Sequence, residues 1–145
     1  MKTDVLSRAQ SVLQIEAASI TAIAARLDLR FVQVVECVLE CQGKIVITGI
    51  GKAGAVARKL AATFSSTGTP ALFLHPSEGV HGDLGVVAAP DIVIALSQSG
   101  ESDEILRLLP SLRAIGATLI AMTGASGSSL ASSASLILDT SIERE

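Results

Sequence analysis

Asp91-Ile92-Val93-Ile94-Ala95-Leu96-Ser97-Gln98-Ser99-Gly100-Glu101-Ser102-Asp103-Glu104-Ile105 is the stretch on which the fold turns. An unbroken apolar run leads into three serines and a glycine, and an amphipathic pattern begins at Ile105. That order describes a buried strand, a polar turn and the first turn of a helix. The first N–H groups of a helix lack partners within it and carry partial positive charge, so the turn is able to hold an anion. Hydroxyls at 97, 99 and 102 can wrap a phosphate without adding a fixed charge. The same serines also suit a plain turn and a capped helix.

The rhythm repeats on either side. Lys44-Ile45-Val46-Ile47-Thr48 is a β-branched run that ends in Gly49-Ile50-Gly51-Lys52-Ala53-Gly54, which opens a helix through about Ser65. Pro70-Ala71-Leu72-Phe73-Leu74 reads as a second strand, followed by His75-Pro76 and a loop or short helix through residue 90. After the strand at 91–96 and its helix at 102–115 come a strand at 117–122, a short helix at 128–134 and a fifth strand at 135–139. Apolar strands alternating with helices predict a five-stranded parallel sheet covered on both faces, an α/β/α three-layer fold. Right-handed crossovers gather Gly49–Gly54, His75–His81, Ser97–Glu104, Thr123-Gly124 and Ser141–Glu145 on the carboxyl edge, where a ligand should bind.

Ahead of the sheet, residues 1–43 read as helices. Leu6, Ala9, Leu13, Ala17, Ile20, Ala24 and Leu27 form one apolar stripe on a helix over 4–27, which must lie against its own domain or a second subunit. Asp28 caps the next helix, which carries Phe31, Val34, Val35, Val38 and Leu39 inward and ends near Gln42-Gly43. With no internal repeat or linker, the 145 residues are expected to form one domain.

Composition removes several classes of function. Three Phe, no Trp and no Tyr leave no platform for stacking bases or sugars, and a net charge of −3 with no basic run excludes a nucleic-acid footprint. No apolar run approaches the ~20 residues a bilayer requires, and the amino end does not read as a signal peptide. Cys37 and Cys41, four apart on one helix, are poorly placed for a disulfide and suit a reducing cytoplasm.

Three chemistries compete for the carboxyl edge. Gly49, Gly51 and Gly54 fit the dinucleotide fingerprint, but the second strand ends Phe73-Leu74-His75 without the acid that holds a ribose. A phosphate-binding P-loop is excluded by Ala53 after Lys52 and by Val46 where a glycine belongs. A metal site on His75 and His81 lacks diagnostic acidic partners. Phospho-sugar chemistry fits better: the serine turn offers neutral donors, Lys52 a cation, and Glu101, Glu104 and Glu145 are candidate proton carriers. Aldose–ketose isomerisation needs a base beside a carbonyl and an electrophile for the enediolate, with no redox cofactor.

The same residues resemble the sugar isomerase (SIS) domain: Gly49–Gly54, then Ala61–Pro70, His75-Pro76-Ser77-Glu78-Gly79-Val80-His81-Gly82-Asp83-Leu84-Gly85, and Ser97–Ser102. More narrowly, the chain is similar to the arabinose-5-phosphate isomerase group. The resemblance implies a homotetramer that interconverts D-ribulose 5-phosphate and D-arabinose 5-phosphate without a cofactor, supplying Kdo for lipopolysaccharide or capsule. It implies catalytic roles for Lys52, Glu104 and Glu145, and substrate contacts from Gly68, Thr69, His81, Ser97, Ser99 and Ser102. His75 matches the residue that takes an inhibitory zinc. Two departures are visible: Ala53 replaces the family's serine after the lysine, and the sequence stops at Glu145. Family members continue into closing helices with another active-site histidine, and usually into CBS domains. The expectation is therefore a C-terminally incomplete SIS domain that binds substrate and turns over poorly alone. The rival is a non-catalytic SIS module that senses a phospho-sugar.

Overall fold

The β-branched runs become strands Ile45–Gly49 (β1), Ala71–Leu74 (β2), Ile92–Leu96 (β3), Thr118–Thr123 (β4) and Leu136–Asp139 (β5). The computed structural model describes residues 2–143. Glu145, one of the implied catalytic glutamates, lies outside the described residues. Every strand pairing is parallel, in the order β2-β1-β3-β4-β5.

Because side chains alternate across a strand, each apolar run feeds two cores. Val46, Val93, Ala95, Leu119 and Ala121 face one layer with Ile105, Leu108, Leu112 and Leu130. Ile45, Ile47, Ile92, Ile94, Leu96 and Ile120 face the other, with Val34, Ala57 and Ala61. The chain opens with a long helix, Lys2–Arg26 (α1). Leu29–Leu39 (α2) and Gly51–Ser66 (α3) then cover the second of these faces. The first is covered by Pro76–Val80 (α4), a 3₁₀ turn at Asp83–Val86, Asp103–Leu106 (α5), Leu109–Ile115 (α6) and Ser129–Ser133 (α7).

One expectation is corrected. The helix read over 102–115 is broken into α5 and α6. Pro110 has no N–H to offer the Leu106 carbonyl and its ring crowds that oxygen, so the chain restarts with Leu112 N–H donating to the Leu108 carbonyl at 2.9 Å. On α1, the stripe of Leu6, Leu13, Ile20 and Leu27 is exposed at 54% or more; Ser11, Ile15, Ser19 and Ile23 are the half-buried line. Among the described residues the stripe is thus largely exposed, which leaves a second subunit as the surface it would lie against. The end of α1 is nevertheless tethered, since Arg26 donates to the Ser141 carbonyl at 2.6 Å beyond β5. Cys37 and Cys41 are free and half-buried.

The amino edge of the sheet is held by one carboxylate. Asp91, 2% exposed, accepts from the Lys44 N–H at 2.9 Å, the Lys44 ammonium at 2.6 Å and the Ala88 N–H at 2.8 Å. Burial alone would raise its pKa, but the Lys44 and Ala88 hydrogen bonds hold it below the usual carboxylate value.

Candidate functional site

From β1 the chain runs through α3 outward to β2, then crosses back to β3 on the other flank of β1. The turns after β1 and β3 therefore diverge and leave a crevice at the carboxyl edge, the topological switch point where open α/β sheets bind ligands. Lys52 stands on one side of it and Ser97–Ser102 on the other.

The β1 turn is close because it is built of glycine. A Cβ at Gly54 would lie 2.7 Å from the Gly49 carbonyl oxygen, so only glycine lets α3 start hard against its strand. Ile50 is the N-cap of α3 and supplies no side-chain hydrogen bond. The first-turn N–H groups are thus left without a capping side chain, and exposed Lys52 adds a positive charge in that same turn.

The β3 turn is shaped by its own hydroxyls. Ser97 is buried; its Oγ lies 2.9 Å from Ser102 Oγ and accepts the Gly100 N–H at 3.1 Å. Ser99 Oγ accepts the Glu101 N–H at 3.2 Å. Ser102 is the N-cap of α5, yet its side chain makes no capping bond. Of the two readings of these serines, the plain cap is therefore not realised at Ser102. Glu104 follows in the first turn of α5, half-buried.

The β2 exit brings the histidine loop to the same edge. His75 caps α4, with Nδ1 accepting the Ser77 N–H at 3.3 Å, which leaves the proton of the neutral ring on Nε2. Its ring meets Phe73 edge-on at 6.3 Å between centroids, and the Arg58 guanidinium sits 4.0 Å over the Phe73 ring. Gly49, Gly51, Gly54, Ala55, Arg58, Phe73 and His75 line a groove of about 260 Å³. His81 ends α4, exposed. Among the described residues no group of three or more His, Cys, Asp or Glu gathers to hold a metal ion, so His75 stands without such a ligand set.

The predicted site thus divides. Lys52, His75, His81, Ser97, Ser99, Ser102 and Glu104 share the carboxyl edge. Gly68 and Thr69 do not: they precede β2 at the amino edge, beside Gly43 and Ile45, where Ile45 N–H donates to the Pro70 carbonyl at 2.9 Å. The length of a strand, about 15 Å at ~3.3 Å per residue, separates them from the crevice of their own chain.

Sequence reasoning overlooked three features. The stacking of Arg58, Phe73 and His75 joins residues from α3, β2 and the α4 cap. Thr48 Oγ1, at the carboxyl end of β1, is the buried side-chain polar atom left without a hydrogen-bond partner among the described residues. Glu101, read as a proton carrier, has Oε1 accepting the Ser129 N–H at 2.7 Å. None of these shows in spacing: Arg58 and Phe73, like Glu101 and Ser129, are far apart in sequence, and a hydroxyl without a partner leaves no mark in it.

Comparisons with known proteins converge on this architecture. The chain is 43% identical over 142 residues to the arabinose 5-phosphate isomerase KdsD of Pseudomonas aeruginosa, covering 98% of this chain and 44% of that protein. It is 40% identical over 145 residues to arabinose 5-phosphate isomerase GutQ of Escherichia coli K12, covering 100% of this chain and 45% of that protein. The chain therefore spans less than half the length of these curated relatives. A solved E. coli CFT073 protein in complex with arabinose 5-phosphate superposes with a TM-score of 0.96 at 43% identity, covering 100% of this chain and 77% of that one. The model of the SIS domain matches residues 38–145, and with the parallel sheet and serine turn in place the chain belongs to the SIS domain family.

Proposed function

We propose that this chain is the SIS domain of an aldose–ketose isomerase that interconverts D-arabinose 5-phosphate and D-ribulose 5-phosphate. The observation that carries the reading is the serine turn at the switch point. Its Ser97 and Ser102 hydroxyls lie 2.9 Å apart beside the start of α5, and Lys52 stands on the neighbouring turn. A phosphate seated on Ser97, Ser99 and Ser102 places a pentose chain across the crevice toward Lys52 and Glu104. The similarity to a structure holding arabinose 5-phosphate and to relatives named arabinose 5-phosphate isomerases favours conversion over mere sensing.

The chemistry follows from the groups. A carboxylate, Glu104 or Glu145, takes the proton from C2 of the open-chain aldose. The electron pair forms the C1–C2 double bond and the former carbonyl oxygen becomes an enediolate, which the Lys52 ammonium steadies. Return of the proton to C1 and transfer of the O2 proton complete the ketose, with no net oxidation and no redox cofactor. His81 would contact the substrate from the histidine loop. An inhibitory zinc at His75 would draw its other ligands from groups outside this cluster.

Gly68 and Thr69 fit the same reading only if they reach the crevice of a second copy. A homotetramer would supply that copy and cover the exposed stripe of α1. The product would feed Kdo synthesis in the cytoplasm; no helix among the described residues is long and apolar enough to cross a membrane.

The test is to supply ribulose 5-phosphate to the chain, and to the chain extended to the length of its relatives, and follow arabinose 5-phosphate. Glu104→Gln should retain binding and lose turnover. No product from either form, with tight binding by both, would favour the sensor instead.

A further inference from the structure

We infer that Glu101 is a positioning residue, whose carboxylate ties the serine turn to the start of α7 instead of moving a proton. The inference rests on the reading of that turn as the phosphate seat. Several bonds join the turn to the end of β4 and the β4–α7 segment, among them Thr123 Oγ1 donating to the Gln98 carbonyl at 3.3 Å. Glu101 Oε1 accepts the Ser129 N–H at 2.7 Å, the Gly100 carbonyl accepts the Leu130 N–H at 3.1 Å, and the Gln98 carbonyl accepts the Gly124 N–H at 3.0 Å. Of these, the Glu101 bond is the one that carries a full charge.

Packing makes the joint tight. Gly100 adopts a φ of 66°, and a Cβ there would overlap the Ser128 hydroxyl, so the turn and α7 meet at backbone distance. Ser128 is itself buried and caps α7 by accepting the Ala131 N–H at 3.3 Å. The backbone between Ser99 and Ser102 is thus held from outside the crevice. A carboxylate near a phosphate would ordinarily repel it. Here the Glu101 charge is turned onto a backbone N–H at the start of α7, where it meets the positive end of that peptide dipole. The turn gains rigidity while its hydroxyls keep their positions for the anion.

A proton carrier and a brace respond differently to amidation. Gln keeps an oxygen that accepts the Ser129 N–H; Ala keeps nothing. Titration of arabinose 5-phosphate into the full chain, with the melting temperature recorded for each variant, separates the roles. Glu101→Ala should weaken binding about tenfold, the worth of one charge-assisted hydrogen bond, and Glu101→Gln should recover most of it because a neutral acceptor retains about half the bond. Equal losses in the two variants would overturn the inference, as would a lower melting temperature in Glu101→Ala with unchanged affinity. A Ser99→Ala/Ser102→Ala double variant checks the underlying reading. If it binds as the parent does, the phosphate seat is wrong and the inference falls with it. If it loses binding while Glu101→Ala does not, the inference alone is wrong.

Discussion

Replacing Asp91 by Ala removes the carboxylate that joins three donors at the amino edge of the sheet. Lys44 is 30% exposed on its side chain, so its ammonium recovers water once the partner is gone. The Lys44 and Ala88 N–H groups, bonded at 2.9 and 2.8 Å, would instead face a methyl group. At about 1.5 kcal/mol for each hydrogen bond to a charged group, the loss is about 3 kcal/mol, the low end for breaking a buried pair. In a domain of this size ~1 kcal/mol moves the melting temperature by ~2–4 °C, so the variant should melt about 6–12 °C lower. The sign of the pH dependence is fixed by the lowered pKa of Asp91. Its stabilisation is complete above the unfolded carboxylate value of ~3.9 and is lost as pH falls through the lower folded value. Melting followed by circular dichroism should therefore show a wide gap between parent and variant at neutral pH that narrows toward about pH 3. Arabinose 5-phosphate affinity should not change, because Asp91 lies at the edge opposite the crevice. A gap of under about 1 °C at neutral pH, or one that fails to narrow in acid, would refute the reasoning.

Other residues give shorter tests. Gly100→Ala combines a left-handed backbone cost of ~1–2 kcal/mol with overlap on Ser128 worth ~1–3 kcal/mol, and calorimetry should find both stability and arabinose 5-phosphate binding reduced. Thr48→Val removes a buried hydroxyl that has no partner while keeping the branched shape; stability to urea should rise by about 1 kcal/mol, and a fall would mean the hydroxyl is satisfied after all. Burial pushes the Cys37 thiol up, so a disulfide reagent should modify it slowly at neutral pH in the folded chain and readily after unfolding; equal rates would contradict its burial.

Strands were readable because each is apolar on both faces and short, which leaves a parallel, covered sheet as the arrangement that buries them. The helices were less so. Pro110 sits inside a continuous helical pattern, and only the geometry of the Leu106 carbonyl decides that the helix breaks there. α1 carries apolar residues on several faces, Val5, Val12 and Ile15 among them, so periodicity could not choose the line of Ile15 and Ile23 that faces inward. Motif order located Lys52, His75, His81, the serines and Glu104 on one edge. It took Glu101 for a proton carrier because the hydrogen-bond partner of that carboxylate is 28 residues away, and Gly68 and Thr69, which precede β2 and so fall at its amino end, were tied to the substrate by family resemblance alone.

Ile50 is an unfavourable residue with which to begin a long helix. A serine or aspartate cap is worth ~1 kcal/mol, and α3 forgoes it at the turn that carries Lys52. An engineer seeking a hardier protein would choose Ile50→Ser first. The replacement would seal donors that the crevice otherwise presents to an anion, so the gain in durability would come at the expense of affinity.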